Sequence, residues 1–259
     1  MMKKFRTELK MVNSKFIVAV EGYQRRLQYG KIKEIVSNYN PNKMKPLDVS
    51  YRDGKYYVYD GQHRLEALRQ LNGDRDLSVL CFVHYGMTAE DEAYLFATQD
   101  DNVIRVTLED KYNALFYSGD QDMIDLKRIC ESCGLECNFK RNGSESKKLN
   151  CYKEVYSIYK KYGETQLRKV LNTIVAAWNG EADSLIAGII GGMNMFILKY
   201  DGEYDEKKLV QRLKKVHPAT IKRDGKLLAS TFSGKTMYAV MIMNIYNKNT
   251  SSGRLESKF

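Results

Sequence analysis

Tyr56-Tyr-Val-Tyr-Asp-Gly-Gln-His-Arg-Leu-Glu-Ala-Leu-Arg-Gln-Leu71 is the stretch from which the first half of the chain can be read. Tyr56 to Tyr59 has the aromatic and β-branched character of a short strand, Asp60-Gly61 is a tight-turn pair, and Gln62 to Arg64 opens a helix. Leu65, Ala67, Leu68 and Leu71 give that helix an apolar face with which to sit on a sheet. A turn that delivers a glycine and then a helix N-terminus makes an anion site. Gly61 lets backbone approach a ligand, the first N–H groups of the helix have no intrahelical acceptor, and the helix dipole favours negative charge. Arg64 adds a rigid fork that matches phosphate or carboxylate, and His63 adds a titratable donor.

The flanking sequence supplies the sheet. Phe16 to Val20 reads as a strand leading into Glu21-Gly-Tyr-Gln-Arg-Arg26, and Gly30 to Asn40 has helical apolar spacing closed by Pro41. Pro46 to Tyr51 and Lys55 to Tyr59 read as strands joined by an Arg52-Asp-Gly54 hairpin turn. Leu77 to Tyr85 is a continuous apolar strand suited to the middle of a sheet. Thr88-Ala-Glu-Asp91 is a capping box that opens a helix running to about Gln99. Gln99-Asp-Asp-Asn-Val-Ile-Arg105 follows, and its hard oxygen ligands suit Mg²⁺, although the same residue types also describe a solvated capping loop.

Asp60-Gly-Gln-His-Arg64, with Glu66-Ala67, resembles the phosphate-binding signature of the ParB N-terminal/sulfiredoxin superfamily in its DGQHR form. Gln24-Arg25, then Gly61, Arg64 and Ala67, then Asp101, Asn102 and Arg105 fall in the order and approximate spacing of the three ParB boxes. The resemblance covers residues 16 to 115. It implies a small mixed sheet with helices over residues 1–107, which with the helical patterns of residues 108–259, read as an all-α domain, makes the expected fold α+β. It also implies a nucleotide, CTP or ATP, with Mg²⁺. In that reading Gly61, Gln62 and His63 hold the phosphates through backbone N–H groups, Arg64 and Arg105 neutralise them, and Asp101 with Asn102 holds Mg²⁺. Gln24 positions an attacking water, Arg25 or Arg26 stabilises charge on the transferred group, and Asp60 is a candidate base. Such a division of labour is what phosphoryl transfer requires. Gln62 stands where sulfiredoxins carry their catalytic cysteine, so sulfinic acid reduction is not expected.

From Leu108 onward helical patterns dominate: Leu108 to Tyr117, Asp122 to Cys133, Tyr152 to Tyr162, Thr165 to Trp178, Ser184 to Tyr200, Glu206 to Val216 and Gly234 to Tyr246. A net charge of +10 over 259 residues favours an anionic partner, nucleotide or DNA. Lys140-Arg141, Lys147-Lys148, Lys160-Lys161, Lys214-Lys215 and Lys222-Arg223 would either track a phosphate backbone or be solvated helix ends. The longest apolar stretch, Leu185 to Leu198, is too short and too glycine-rich to span a bilayer, and reads as a buried helix. No apolar run follows the basic N-terminus, and the cysteine count is odd. Both point to a cytoplasmic protein with free thiols, outside any membrane. A homodimer is compatible with this composition.

Two motifs read as decoys. Ala229-Ser-Thr-Phe-Ser-Gly-Lys-Thr236 resembles a P-loop but lacks the apolar strand such a loop needs, so Ser233 is expected to be a helix N-cap. Cys130, Cys133, Cys137 and Cys151 lack the second tight pair of a zinc site and read as buried thiols. The rival functional readings are a non-catalytic DNA-binding or regulatory module of a phage or mobile element, and a metal-dependent nuclease. The second is weakened because only Asp100 and Asp101 cluster.

Overall fold

A computed structural model of the chain describes residues 4–19, 22–24, 26–100, 106–139, 145–228, 231–249 and 252–259. The fold is α+β, and the chain divides into two compact units, Met1–Ile104 and Arg105–Phe259.

The first unit is built on a mixed five-stranded sheet: β1 (Arg6–Asn13), β2 (Ile17–Ala19), β3 (Leu47–Arg52), β4 (Lys55–Asp60) and β5 (Ser78–Tyr85), in the order β1-β5-β3-β4-β2. β1/β5 and β3/β4 are antiparallel, whereas β5/β3 and β4/β2 are parallel. The hairpin turn between β3 and β4 places Asp53 at φ 52° and Gly54 at φ 74°, the paired left-handed geometry that matches strand twist. Its helices are α1 (Tyr29–Ser37), α2 (Gln62–Leu71) and α3 (Ala89–Thr98). Val49, Val58, Cys81 and Val83 pack with Leu65 of α2 in a fully formed core.

The structure departs from the sequence-based expectations at several points in this unit. β1 has no counterpart among the expected strands: it is an edge strand whose Arg6, Glu8 and Lys10 share a face with buried Val12, while Leu9 and Met11 are exposed. The run from Phe16 begins as a tight helical turn (Ser14–Phe16), and strand geometry starts at Ile17. β5 does lie inside the sheet, but only one of its faces is buried, since Leu80 and Phe82 remain over a third exposed. On α2, Leu65 and Ala67 are buried and Leu71 is exposed, so the apolar face is shorter than its spacing implies.

The second unit is all helical: α4 (Leu108–Tyr117), α5 (Gln121–Ser132), α6 (Tyr152–Trp178), α7 (Ala187–Lys199), α8 (Glu206–Leu213), α9 (Pro218–Gly225) and α10 (Gly234–Asn247). α6 breaks at Gly163 (φ 82°, ψ 177°), which recovers the two helices expected from sequence. α8 ends three residues before Val216, and α9 is too short to give a periodic signal in the sequence. α7 is the buried apolar helix, with Ile189, Ile190, Met193, Phe196 and Ile197 almost wholly enclosed. It approaches α10 so closely that a Cβ on Gly192 would sit 2.4 Å from Cβ of Tyr238. Among the described residues no helix is long and apolar enough to cross a membrane.

Both decoys resolve as ordinary structure. Ser233 occupies the N-cap position of α10, and Lys235 pairs with the buried carboxylate of Glu154 at 2.7 Å. All five cysteines are free thiols, four of them buried and Cys151 half-buried. Burial pushes the Cys81 thiol up to about 11 and the Cys151 thiol up to about 12. A raised thiol stays protonated below that value, so at pH 8 roughly one Cys81 in a thousand is thiolate. A disulfide-exchange reagent at pH 8 should therefore give almost no colour with the native protein. The same titration in guanidinium chloride should release all five thiols; rapid native reaction would contradict this packing.

Candidate functional site

β4 ends at Asp60, and the chain must reverse into α2 within one residue. Gly61 does this at φ +100°, and a Cβ there would lie 2.6 Å from Leu47 Cδ2 and 2.9 Å from Arg64 Nη2. Both backbone conformation and space therefore require glycine. Gly61 O accepts from Leu65 N at 2.9 Å, so the helix starts at once, with glycine at its N-cap.

Arg64 is held inside the scaffold. Its Nη1 donates to Lys45 O at 2.9 Å and to Pro46 O at 2.8 Å, and its Nη2 donates to Asp60 Oδ2 at 2.7 Å. Three of five guanidinium N–H groups thus fasten the turn to the approach of β3. His63 Nε2 accepts from Gln28 N at 3.0 Å, which places that atom as an acceptor and the ring proton of the neutral form on Nδ1.

The α2 N-terminus opens into a pocket of about 220 Å³ lined by Lys31 and Ile35 of α1, Tyr59 and Asp60 of β4, Gly61 to Arg64, and Phe96 and Gln99 beside α3. Burial, reinforced by the carboxylates of Asp48 and Asp60, pushes the Tyr59 phenol above its ordinary range, so it remains a neutral donor. The α3 wall is fixed by Glu92, a fully buried carboxylate. Arg52 Nε donates to it at 2.8 Å, Tyr23 OH at 3.1 Å, and Ser50 Oγ donates as well. Arg52 in turn lies over the Tyr57 ring at 3.6 Å, and Tyr23 packs on Phe96 at 5.8 Å between centroids. Nothing in the sequence singles out Glu92, which is one acid among three in the first turn of α3.

Of the residues predicted for the site, Asp60, Gly61, Gln62, His63 and Arg64 come together around the pocket. Gln24 hydrogen-bonds Val58 O, and among the described residues its Oε1 has no partner. Gln24 does not line the pocket, nor does the exposed Arg26. Arg25, Asp101, Asn102 and Arg105 lie outside the described residues. Several basic pairs of the helical unit meet local acids: Lys148 with Glu145 at 2.6 Å, Lys160 with Asp122 at 2.8 Å and Arg223 with Asp224 at 2.8 Å. Lys140 and Arg141 lie outside the described residues.

The family of unknown function DUF6551 matches residues 18–259, and the chain belongs to that family. No curated protein matches it. Among solved structures it is similar to the C-terminally truncated chromosome-partitioning protein ParB from Caulobacter crescentus, crystallised with CTP-gamma-S, at a TM-score of 0.34 and 10% identity. That alignment covers 80% of this chain and 98% of the ParB chain.

Two substitutions test the geometry. Gly61→Ala combines a left-handed backbone with a steric overlap and should destabilise the protein by about 2–4 kcal/mol in urea unfolding. Glu92→Ala strands the Arg52 guanidinium and should cost about 2–4 kcal/mol, somewhat below the figure for a fully buried pair because Arg52 is part exposed. An unchanged unfolding midpoint in either variant would contradict the role of that residue in holding the pocket walls.

Proposed function

We propose that this DUF6551 member binds a nucleotide, CTP or ATP, with its phosphates at the Gly61 turn. The carrying observation is that a glycine which tolerates no side chain stands at the N-cap and delivers the α2 N-terminus into the pocket of Lys31, Tyr59, Phe96 and Gln99. Helix N-terminal N–H groups and the dipole favour phosphate there, and exposed Lys31 supplies the mobile cation. Arg64 acts in this reading as the clamp that holds the turn, because its guanidinium is engaged by Asp60 and two carbonyls. At about 220 Å³ the pocket is smaller than the roughly 300–1,000 Å³ of whole-ligand sites, so it suits phosphates and sugar with the base toward the rim.

Asp101 and Asn102 follow Gln99 in the chain and take the Mg²⁺ in this proposal, with Arg105 as the further phosphate cation. The reading is one of binding: Gln24, the candidate for positioning water, has its amide engaged by Val58 O. DNA is the second partner in this reading, supported by the net charge of +10.

Isothermal calorimetry of the full chain with CTP, ATP and inorganic pyrophosphate, each with and without Mg²⁺, tests it. One nucleotide should bind in a Mg²⁺-dependent manner, and Lys31→Glu should weaken it about tenfold or more without moving the thermal midpoint. Absence of binding to all three titrants would overturn the reading and leave a DNA-binding or partner-binding module.

A further inference from the structure

The helical unit carries a second concave site that the nucleotide reading does not use. A cleft of about 510 Å³ lies where α6 ends and α8 meets α9, lined among others by Trp178, Asn179, Glu181, Lys214, Lys215 and His217. Beside it, Glu181, Asp183 and His217 bring one ligand atom each within 4.8 Å of one another. Among the described residues this is the one group of three or more His, Cys, Asp or Glu side chains so arranged. We propose that these three residues bind a divalent transition-metal ion, such as Zn²⁺ or Mn²⁺, whose open positions face an anion held by Lys214 and Lys215.

The backbone around the cluster is fixed before any ion arrives. Asn179, left-handed at φ 51°, ends α6, and Glu181 N donates back to Trp178 O at 3.0 Å. Ser184 N donates to Glu181 O at 2.8 Å, which closes the tight turn carrying Asp183. The Trp178 indole N–H is shared between Leu213 O at 3.1 Å and Val216 O at 2.9 Å, tying the His217 segment to the end of α6. Ligands held on a fixed backbone lose little entropy on binding, and two carboxylates with one imidazole suit a borderline divalent ion.

His217 Nε2 lies 2.6 Å from Glu181 Oε1, and its Nδ1 accepts from Ala219 N at 3.1 Å. The neutral ring therefore keeps its proton on Nε2, directed at Glu181. Coordination through Nε2 moves that proton to Nδ1, and the Ala219 contact is given up. No net proton leaves a neutral ring, so the signature of binding is a change of tautomer. Asp183 faces a cation already, Lys222 Nζ at 3.9 Å, a loose contact that an ion can displace.

The test is Zn²⁺ titration of the ¹⁵N-labelled full chain, reading imidazole nitrogens; with only three histidines the signals are separable. His217 should switch from the Nε2–H to the Nδ1–H pattern at one equivalent of Zn²⁺, while His63 and His84 stay in place. Glu181→Gln and Asp183→Asn should each raise the Zn²⁺ concentration needed by about tenfold or more. Thermal unfolding confirms that each variant folds, and two variants guard against the loss of one. A His217 ring that ignores Zn²⁺, or a switch that persists in both variants, overturns the metal site. For the anion, Mn²⁺-loaded protein should broaden the ³¹P line of inorganic phosphate more than Lys214→Ala/Lys215→Ala protein does. Equal broadening overturns the role of the lysines.

Discussion

A carboxylate taken wholly out of water is costly unless the protein replaces its hydration, and Glu92 meets that condition with three side chains from different parts of the first unit. Ser50 and Arg52 come from β3 and Tyr23 from the segment after β2, so the network fixes α3 on the sheet at one point. Phe96 and Gln99, which line the pocket, take their position from that attachment. On the opposite wall Arg64 plays the matching part, joining the Asp60 turn to the carbonyls ahead of β3. Asp60 and Arg64, which line the pocket, and Arg52 and Glu92 behind it are thus engaged in building it. Lys31 of α1, which also lines the pocket, is exposed.

The helical unit solves a different problem. Its central helix is largely apolar and uses glycine to let α10 come close, which yields a tightly packed core. Several of its buried polar groups are paired: Gln166 Nε2 donates to Asn194 Oδ1 of α7 at 2.9 Å, Lys235 meets Glu154, and at the end of α6 Trp178 bridges two carbonyls of the α8–α9 connection. A cleft forms there because helix termini cannot pack as tightly as helix flanks.

How far the sequence can be read depends on whether a signal is local. The hairpin turn, the Gly61 turn, the capping box at Thr88 and most helices of the second half are legible, because each rests on residues a few positions apart. β1 is not, since its charges Arg6, Glu8 and Lys10 share a face with buried Val12 while Leu9 and Met11 lie on the exposed face, the reverse of the alternation that marks a half-buried strand. The bonds that Arg64 makes to Lys45 and Pro46 are hidden for another reason, since both partners are distant in sequence. Glu92 and the trio of Glu181, Asp183 and His217 are invisible for the same cause. Their meaning lies in which elements the fold brings together.

The strand order has a consequence for how the chain is made. β1 precedes the other strands in the chain, yet among the described residues its one sheet neighbour is β5, which is complete only at Tyr85. β3 and β4 can zip together as soon as their two-residue turn exists, whereas β1 waits as an unpaired strand while two helices and three strands emerge. Closing that long loop is the late, entropically demanding step of the first unit. Arg6, Glu8 and Lys10, spaced along the waiting strand, give it the alternating charge that discourages pairing with another nascent chain.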